Sequence, residues 1–152
     1  MEENQIRKPG ELASAALQCQ TSLPHRILVV DDEPCIRELN TDTLIAAGYH
    51  VDVAADGAVA WDTIRLNNYD LIITDNAMPR MTGIEMIEKM RSGGMVVPVI
   101  MASGTLLKEE LTQYPRLQPA AMLPKPYTGV ELLGMVKKVL GAAVPIVMLQ
   151  LT

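Results

Sequence analysis

The chain has 152 residues, 49% of them apolar, and a formal net charge of −5. That length fits one domain with a short appendage, and that apolar share can fill a core. The negative balance, with no basic stripe, argues against a nucleic-acid-binding face.

Phe is absent, so Leu, Ile, Val and Met must fill the interior, and the ten Met suit an adaptable one. Cys19 and Cys35 fit no disulfide framework, zinc spacing or CxxC pair, and are read as free thiols in a reducing compartment. No apolar span is long enough to cross a bilayer, and the acidic start Met1-Glu2-Glu3 does not open a secretory signal. The expectation is a cytoplasmic protein with no membrane partner.

Residues 1–25 are mixed, punctuated by Pro9-Gly10 and Pro24, and read as a flexible leader or linker. From Arg26 short apolar runs alternate with amphipathic stretches, the signature of βα units. The first strand is expected over 27–30, ending at the acidic pair Asp31-Asp32. A helix follows over 34–47, opened by Pro34 and stopped by Gly48. The second strand is placed at 50–54 and the second helix, carrying Trp61, at 58–66. The third strand, 71–74, runs into Asp75, with a helix over 83–91 ending before Gly93-Gly94. The fourth strand is expected over 97–102, followed by a short helix from 106 to about 114 that Pro115 cuts off. The last unit is a strand over 120–123 and a helix over 128–140, with Val130, Leu133, Val136 and Leu140 as its apolar stripe.

Strands one, three and four are nearly unbroken apolar runs, as strands buried on both faces should be. Five such repeats predict an α/β domain over 26–141 with a doubly wound parallel sheet. The tail, 142–152, has no charged side chain and is expected to pack on its own domain or on a second copy.

The chemistry gathers at strand ends. In open α/β sheets, sites form outside the carboxyl ends of the strands. Asp31 and Asp32, Asp75, Ser103 and Lys125 all fall at such ends. Crowded carboxylates repel unless a cation is present, and a hard dication such as Mg²⁺ (or Mn²⁺) prefers one or two carboxylates plus waters and phosphate oxygens. Asp32 and Asp75 could ligate directly, Asp31 through a water, and a backbone carbonyl just after Asp75 could complete the set. Asp75 would then be a usable nucleophile toward a phosphoryl group, with Lys125 and the Ser103 hydroxyl on its oxygens. Gly104 leaves room for the incoming group. Taken singly, Asp31-Asp32 could be a helix cap, Asp75 a loop acid and Lys125 a solvated lysine. Their coincidence on the right strand tips, in the right order, favours the site.

The same residues make the chain resemble the receiver (response-regulator) domain of two-component signalling. Val-Val-Asp-Asp-Glu-Pro at 29–34, Thr-Asp-Asn-Ala-Met-Pro-Arg-Met-Thr-Gly at 74–83, Ala-Ser-Gly at 102–104 and Leu-Pro-Lys-Pro-Tyr at 123–127 carry the likeness, which covers about 26–140. The resemblance implies the three-layer flavodoxin-like order 2-1-3-4-5, for which receiver domains are a standard example. It implies Asp75 as phosphoacceptor, Asp31 and Asp32 as the acidic pocket, and the Ala77 carbonyl as a metal ligand. It also implies Ser103 as the switch hydroxyl, Lys125 as the phosphate-contacting lysine and a cis Lys125–Pro126 bond. A sensor histidine kinase or phosphotransfer protein would donate the phosphoryl group, and an effector or fused output domain would read the shift around 104–127. The domain would catalyse only its own phosphorylation and dephosphorylation.

Two departures stand out. Met122 occupies a position the family usually fills with an aromatic residue. Ala77 and Thr105 flank the phosphoryl site without a side chain suited to orient an attacking water, so a long-lived phosphate is expected. Two other classes compete with the receiver. A haloacid-dehalogenase-like phosphohydrolase would place a second Asp where Ala77 stands. A flavin or nucleotide binder would need a Gly-, Ser- or Thr-rich loop where Asp31-Asp32-Glu33 stands. A degenerate receiver acting by binding alone is the remaining form. His25 and His50 show no ligand spacing and are read as ordinary surface or strand residues.

Overall fold

Apolar runs of four or five residues become buried strands here because a parallel sheet covered on both faces leaves no polar side. The structure, a computed structural model, describes residues 24–103 and 115–143. Its strands are β1 (Arg26–Val30), β2 (His50–Ala54), β3 (Leu71–Asp75), β4 (Val99–Ser103) and β5 (Ala121–Pro124). They form one parallel sheet in the order β2-β1-β3-β4-β5, the flavodoxin-like order expected. Four helices lie among the described residues: α1 (Pro34–Ala46), α2 (Gly57–Leu66), α3 (Gly83–Ser92) and α4 (Gly129–Ala143). A short 3₁₀ turn, Pro115–Leu117, was not expected. The helix expected over 106–114 lies outside the described residues, as do nearly all of the leader and tail.

Side chains alternate across the sheet with period two. Leu28, Val30, Ile72, Val99 and Met101 face α2 and α3, in one core with Ile64, Met86, Ile87 and Met90. Ile27, Val29, Leu71, Ile73, Ile100 and Ala102 face α1 and α4, in a second core with Leu44, Leu132 and Val136. Fully burying each such side chain contributes about 1.5–3 kcal/mol. Every residue of β3 and β4 is buried, whereas the edge strands β2 and β5 are partly exposed.

Two expectations need correction. The fourth strand starts at Val99, not Val97, because Pro98 has no N–H to donate to a ladder. Its carbonyl still accepts from the Ile72 amide at 3.0 Å. The buried face of α4 is Leu132, Val136, Val139 and Leu140, while Val130 is 82% exposed. Both stripes have helical spacing, and docking against the sheet and α1 selects between them.

Local chemistry fixes the helix starts. Pro34 opens α1, and the Asp31 carboxylate accepts the Glu33 amide at 2.9 Å. Asp56 caps α2 by accepting from the Val59 amide at 2.9 Å. Thr82 and Glu85 form a reciprocal capping box on α3, and Thr128 and Glu131 pair in the same way at α4. After α1, Gly48 adopts φ +97°, which a side chain would disfavour.

Candidate functional site

The parallel register brings the strand tips together. Val30 pairs with Thr74 and Asp75 with Ala102, so Asp31, Asp75 and Ser103 follow one another across the carboxyl edge. Ser103 pairs with Pro124, and its carbonyl accepts the Lys125 amide at 3.0 Å. Lys125 thus starts from a backbone position tied to the sheet.

Its side chain crosses to the acids. Nζ donates to Asp75 Oδ2 at 3.0 Å and to Asp31 Oδ2 at 3.2 Å. Both carboxylates are buried, at 7% and 2% exposure, while Asp32 is exposed beside them. The other oxygen of Asp75 accepts from the Asn76 amide at 2.7 Å and the Ala77 amide at 3.3 Å. Burial by itself would lower the Lys125 pKa. The hydrogen bond to Asp75 and the charges of Asp31 and Asp75 outweigh it and raise the value, so this lysine is a permanent cation at neutral pH.

A dication fits these residues. Asp31, Asp32 and Asp75 each bring one carboxylate oxygen within 4.8 Å of the others. Three carboxylates against one ammonium leave two negative charges in the pocket (−3 + 1 = −2), and all the donors are hard oxygens.

The loop after Asp75 is held from several sides. The Asn76 carbonyl accepts from Gly83 N at 3.1 Å, and its side-chain oxygen accepts from Ile84 N at 3.0 Å. Arg80, with φ +67°, donates to the Asp56 carboxylate through Nε at 2.9 Å and through Nη2. Burial would raise the Asp56 pKa, but the Val59 amide and Arg80 hold it below the usual carboxylate value. This clasp between the loops after β2 and β3 was not expected, because Asp56 and Arg80 are 24 residues apart.

The other expected residues fall as follows. The Lys125–Pro126 bond is cis. Met122 is half-buried on β5, opposite Met101 and against the α2/α3 core. Ala77 is exposed at the rim. Gly104, Thr105 and Cys19 lie outside the described residues. Cys35 is an exposed free thiol. His25 and His50 sit at the opposite, amino end of the sheet. Beside Lys125 is an open hollow of about 350 Å³, lined by Ile36, Leu39, Asn40, Lys125, Pro126 and Tyr127. Among the described residues no helix is long and apolar enough to cross a membrane.

A five-stranded sheet of this order, with acids at the tips of β1 and β3 and a lysine reaching them from β5, defines a signalling receiver. The model of the response regulator receiver domain matches residues 27–137, and the chain belongs to that family. It is 34% identical over 123 residues to the response regulator MprA of Mycobacterium sp. (strain KMS), covering 81% of this chain and 54% of that protein. The chain thus spans about half the length of the curated relatives it matches. The chemotaxis protein CheY4 of Vibrio cholerae superposes with a TM-score of 0.71 at 31% identity, over 76% of this chain and 98% of that one. The response regulator TrrA of Thermotoga maritima, solved in complex with Mg²⁺-BeF, gives a TM-score of 0.68 at 34% identity, with the same coverage. The chain is a receiver domain of two-component signalling, the first of the three classes weighed.

Proposed function

We propose that Asp75 is the phosphoacceptor and that it takes its phosphoryl group from a sensor histidine kinase or phosphotransfer protein. The observation that carries this reading is Lys125 Nζ bridging Asp75 and Asp31 at 3.0 and 3.2 Å. A buried carboxyl group with an adjacent cation and two backbone amides is held in one orientation at the edge of an open pocket. One of its oxygens forms a bond to phosphorus as the donor's own bond to phosphorus breaks.

Mg²⁺ (or Mn²⁺), when bound, supplies positive charge against the incoming phosphoryl oxygens. Asp32 and Asp75 would hold it directly, Asp31 through a water, and the Ala77 carbonyl would complete the set. Lys125 neutralises charge on the transferred group and then has one carboxylate fewer to satisfy. Ser103, at the tip of β4, donates its hydroxyl to the new phosphate. Movement of Ser103 shifts the segment through 104–127, including Met122, and biases a two-state equilibrium. The reader is an effector protein, a fused output domain or a second copy of the chain. The apolar hollow beside Lys125, rimmed by exposed Leu39, suits a protein donor.

The receiver unit spans 26–141 and catalyses only its own phosphorylation and dephosphorylation. A cytoplasmic location agrees with the free thiol of Cys35. Exposed Ala77 offers an attacking water no side-chain hydrogen bond, so the phosphate is long-lived.

The test is intact mass after incubation with acetyl phosphate, with and without Mg²⁺, beside Asp75→Ala. One added phosphoryl group that needs Mg²⁺, is lost in the variant and decays slowly after donor removal is the expected result. A folded native chain that gains none, and binds no beryllofluoride, refutes the phosphoacceptor role and leaves an interaction module.

A further inference from the structure

One part-buried polar contact next to the site has no role in the chemistry above. Asn40 is 4% exposed in the middle of α1, and it shares with Leu44 the helix's fully buried face. Helical spacing assigns that position to an apolar side chain. Burying an amide there is unfavourable unless it is hydrogen-bonded. It is: Asn40 Nδ2 donates to the Tyr127 hydroxyl at 2.7 Å, across 87 residues of chain. The Tyr127 ring packs in the α1/α4 core. Only Pro126 separates it from Lys125.

We propose that Asn40 and Tyr127 are positioning residues for Lys125, their part-buried hydrogen bond fixing the turn from which its side chain reaches Asp75 and Asp31. Lys125 is a compact charge on a flexible stem, so the place of its ammonium depends on how firmly its backbone is rooted. On the sheet side the root is the bond from the Lys125 amide to the Ser103 carbonyl. On the helix side the next anchored group is Tyr127. Pro126, between them, has a fixed φ and transmits the ring's position to the lysine.

Nζ spans two carboxylates from different strands at 3.0 and 3.2 Å, so a shift of several tenths of an ångström opens one bond or the other. A ring that only filled space would need no hydroxyl, and α1 would need no buried amide. The pairing ties the first helix, which follows the acidic pair, to the loop that delivers the cation. The consequence for phosphoryl transfer rests on the function proposed above; the placement of Lys125 does not.

The experiment compares native protein with Tyr127→Phe, Asn40→Leu and the double variant. Three quantities are read: unfolding stability in urea, the rate of reductive methylation at Lys125 by peptide mass, and phosphoryl uptake from acetyl phosphate as a function of Mg²⁺. Tyr127→Phe strands the buried Asn40 amide and is less stable, Asn40→Leu leaves the Tyr127 hydroxyl at the open hollow and costs less, and the double variant replaces both groups and regains stability. In all three variants Lys125, whose side chain is 19% exposed in the native protein, should be methylated several-fold faster. The maximal uptake rate should fall on the order of tenfold, while the Mg²⁺ concentration giving half of it stays the same.

The decisive case is the double variant, stable but with an unshielded lysine and slow uptake. Native shielding of Lys125 there, or in folded Tyr127→Phe, overturns the proposal. If the native chain takes up no phosphoryl group, the functional reading fails, and methylation at Lys125 still decides the positioning.

Discussion

Replacing Gly83 by Ala sets two effects of opposite sign against each other. Gly83 is the first residue of α3, and alanine is favoured over glycine in a helix by roughly 0.5–1 kcal/mol. Helix propensity alone therefore calls for a more stable protein. A Cβ at this position, however, would lie 2.5 Å from the Asp75 carbonyl oxygen, 3.1 Å from Asn76 Cα and 3.2 Å from Met101 Sδ. The Met101 thioether can swing aside, but the other two atoms are backbone. Normal contact lies at about 3.5 Å, so α3 and the loop after β3 must part by roughly 1 Å.

Overpacking of this kind costs about 1–3 kcal/mol, and against backbone atoms the upper part of that range applies, which outweighs the propensity gain and leaves a net loss of up to about 2.5 kcal/mol. The loop that parts carries Asn76 and Ala77, whose amides orient the Asp75 carboxylate. Phosphoryl uptake should therefore fall by about tenfold or more. Urea unfolding at unchanged m-value measures the first effect, and uptake from acetyl phosphate the second. The control is Gly134→Ala, exposed inside α4 with no atom within 4 Å of the new Cβ, which should gain about 0.5–1 kcal/mol. A Gly83→Ala protein as stable as the native one, with undiminished uptake, would refute the reasoning.

Lys125→Met should cost about 1–3 kcal/mol without divalent metal, less than a fully buried pair because the pocket opens to water at Asp32. Millimolar Mg²⁺ should recover part of it. The folded pKa of Lys125 is raised, so the native advantage is fully present below about 10.5 and is lost as pH climbs through the raised value. Unfolding free energies that diverge further above that pH would contradict the pairing. Asp56→Ala removes the α2 cap and the partner of Arg80, and should cost about 1–2 kcal/mol at pH 7, a melting-temperature drop of several degrees. Because the folded pKa of Asp56 is depressed, its contribution is present above the ordinary carboxylate value of 3.8 and disappears as pH falls through the lowered one. Thermal melts at pH 7 and pH 2.5 check this, and an equal gap at both would show the charge to be irrelevant.

The strands were legible because burial on both faces leaves a local trace: residues 27–30, 71–73 and 99–102 are apolar without interruption. The α4 face was not, since 130/133/136/140 and 132/136/139/140 both satisfy a helical period and only docking chooses between them. The capping boxes at Thr82–Glu85 and Thr128–Glu131 are written locally, in a Thr-x-x-Glu spacing. Asn40, by contrast, reads as a solvated helix residue until its partner is known.

The sequence by itself determined the alternation of strand and helix, the parallel sheet and the acids, serine and lysine at the strand ends, because hydrophobic periodicity and residue chemistry belong to short stretches of chain. Only the tertiary structure decided which side chains meet. Lys125 reaches Asp31 across 94 residues, Tyr127 reaches Asn40 across 87 and Arg80 reaches Asp56 across 24. Such contacts depend on register and packing, which bring distant residues within 3 Å or so through space and leave no mark on the residues between them.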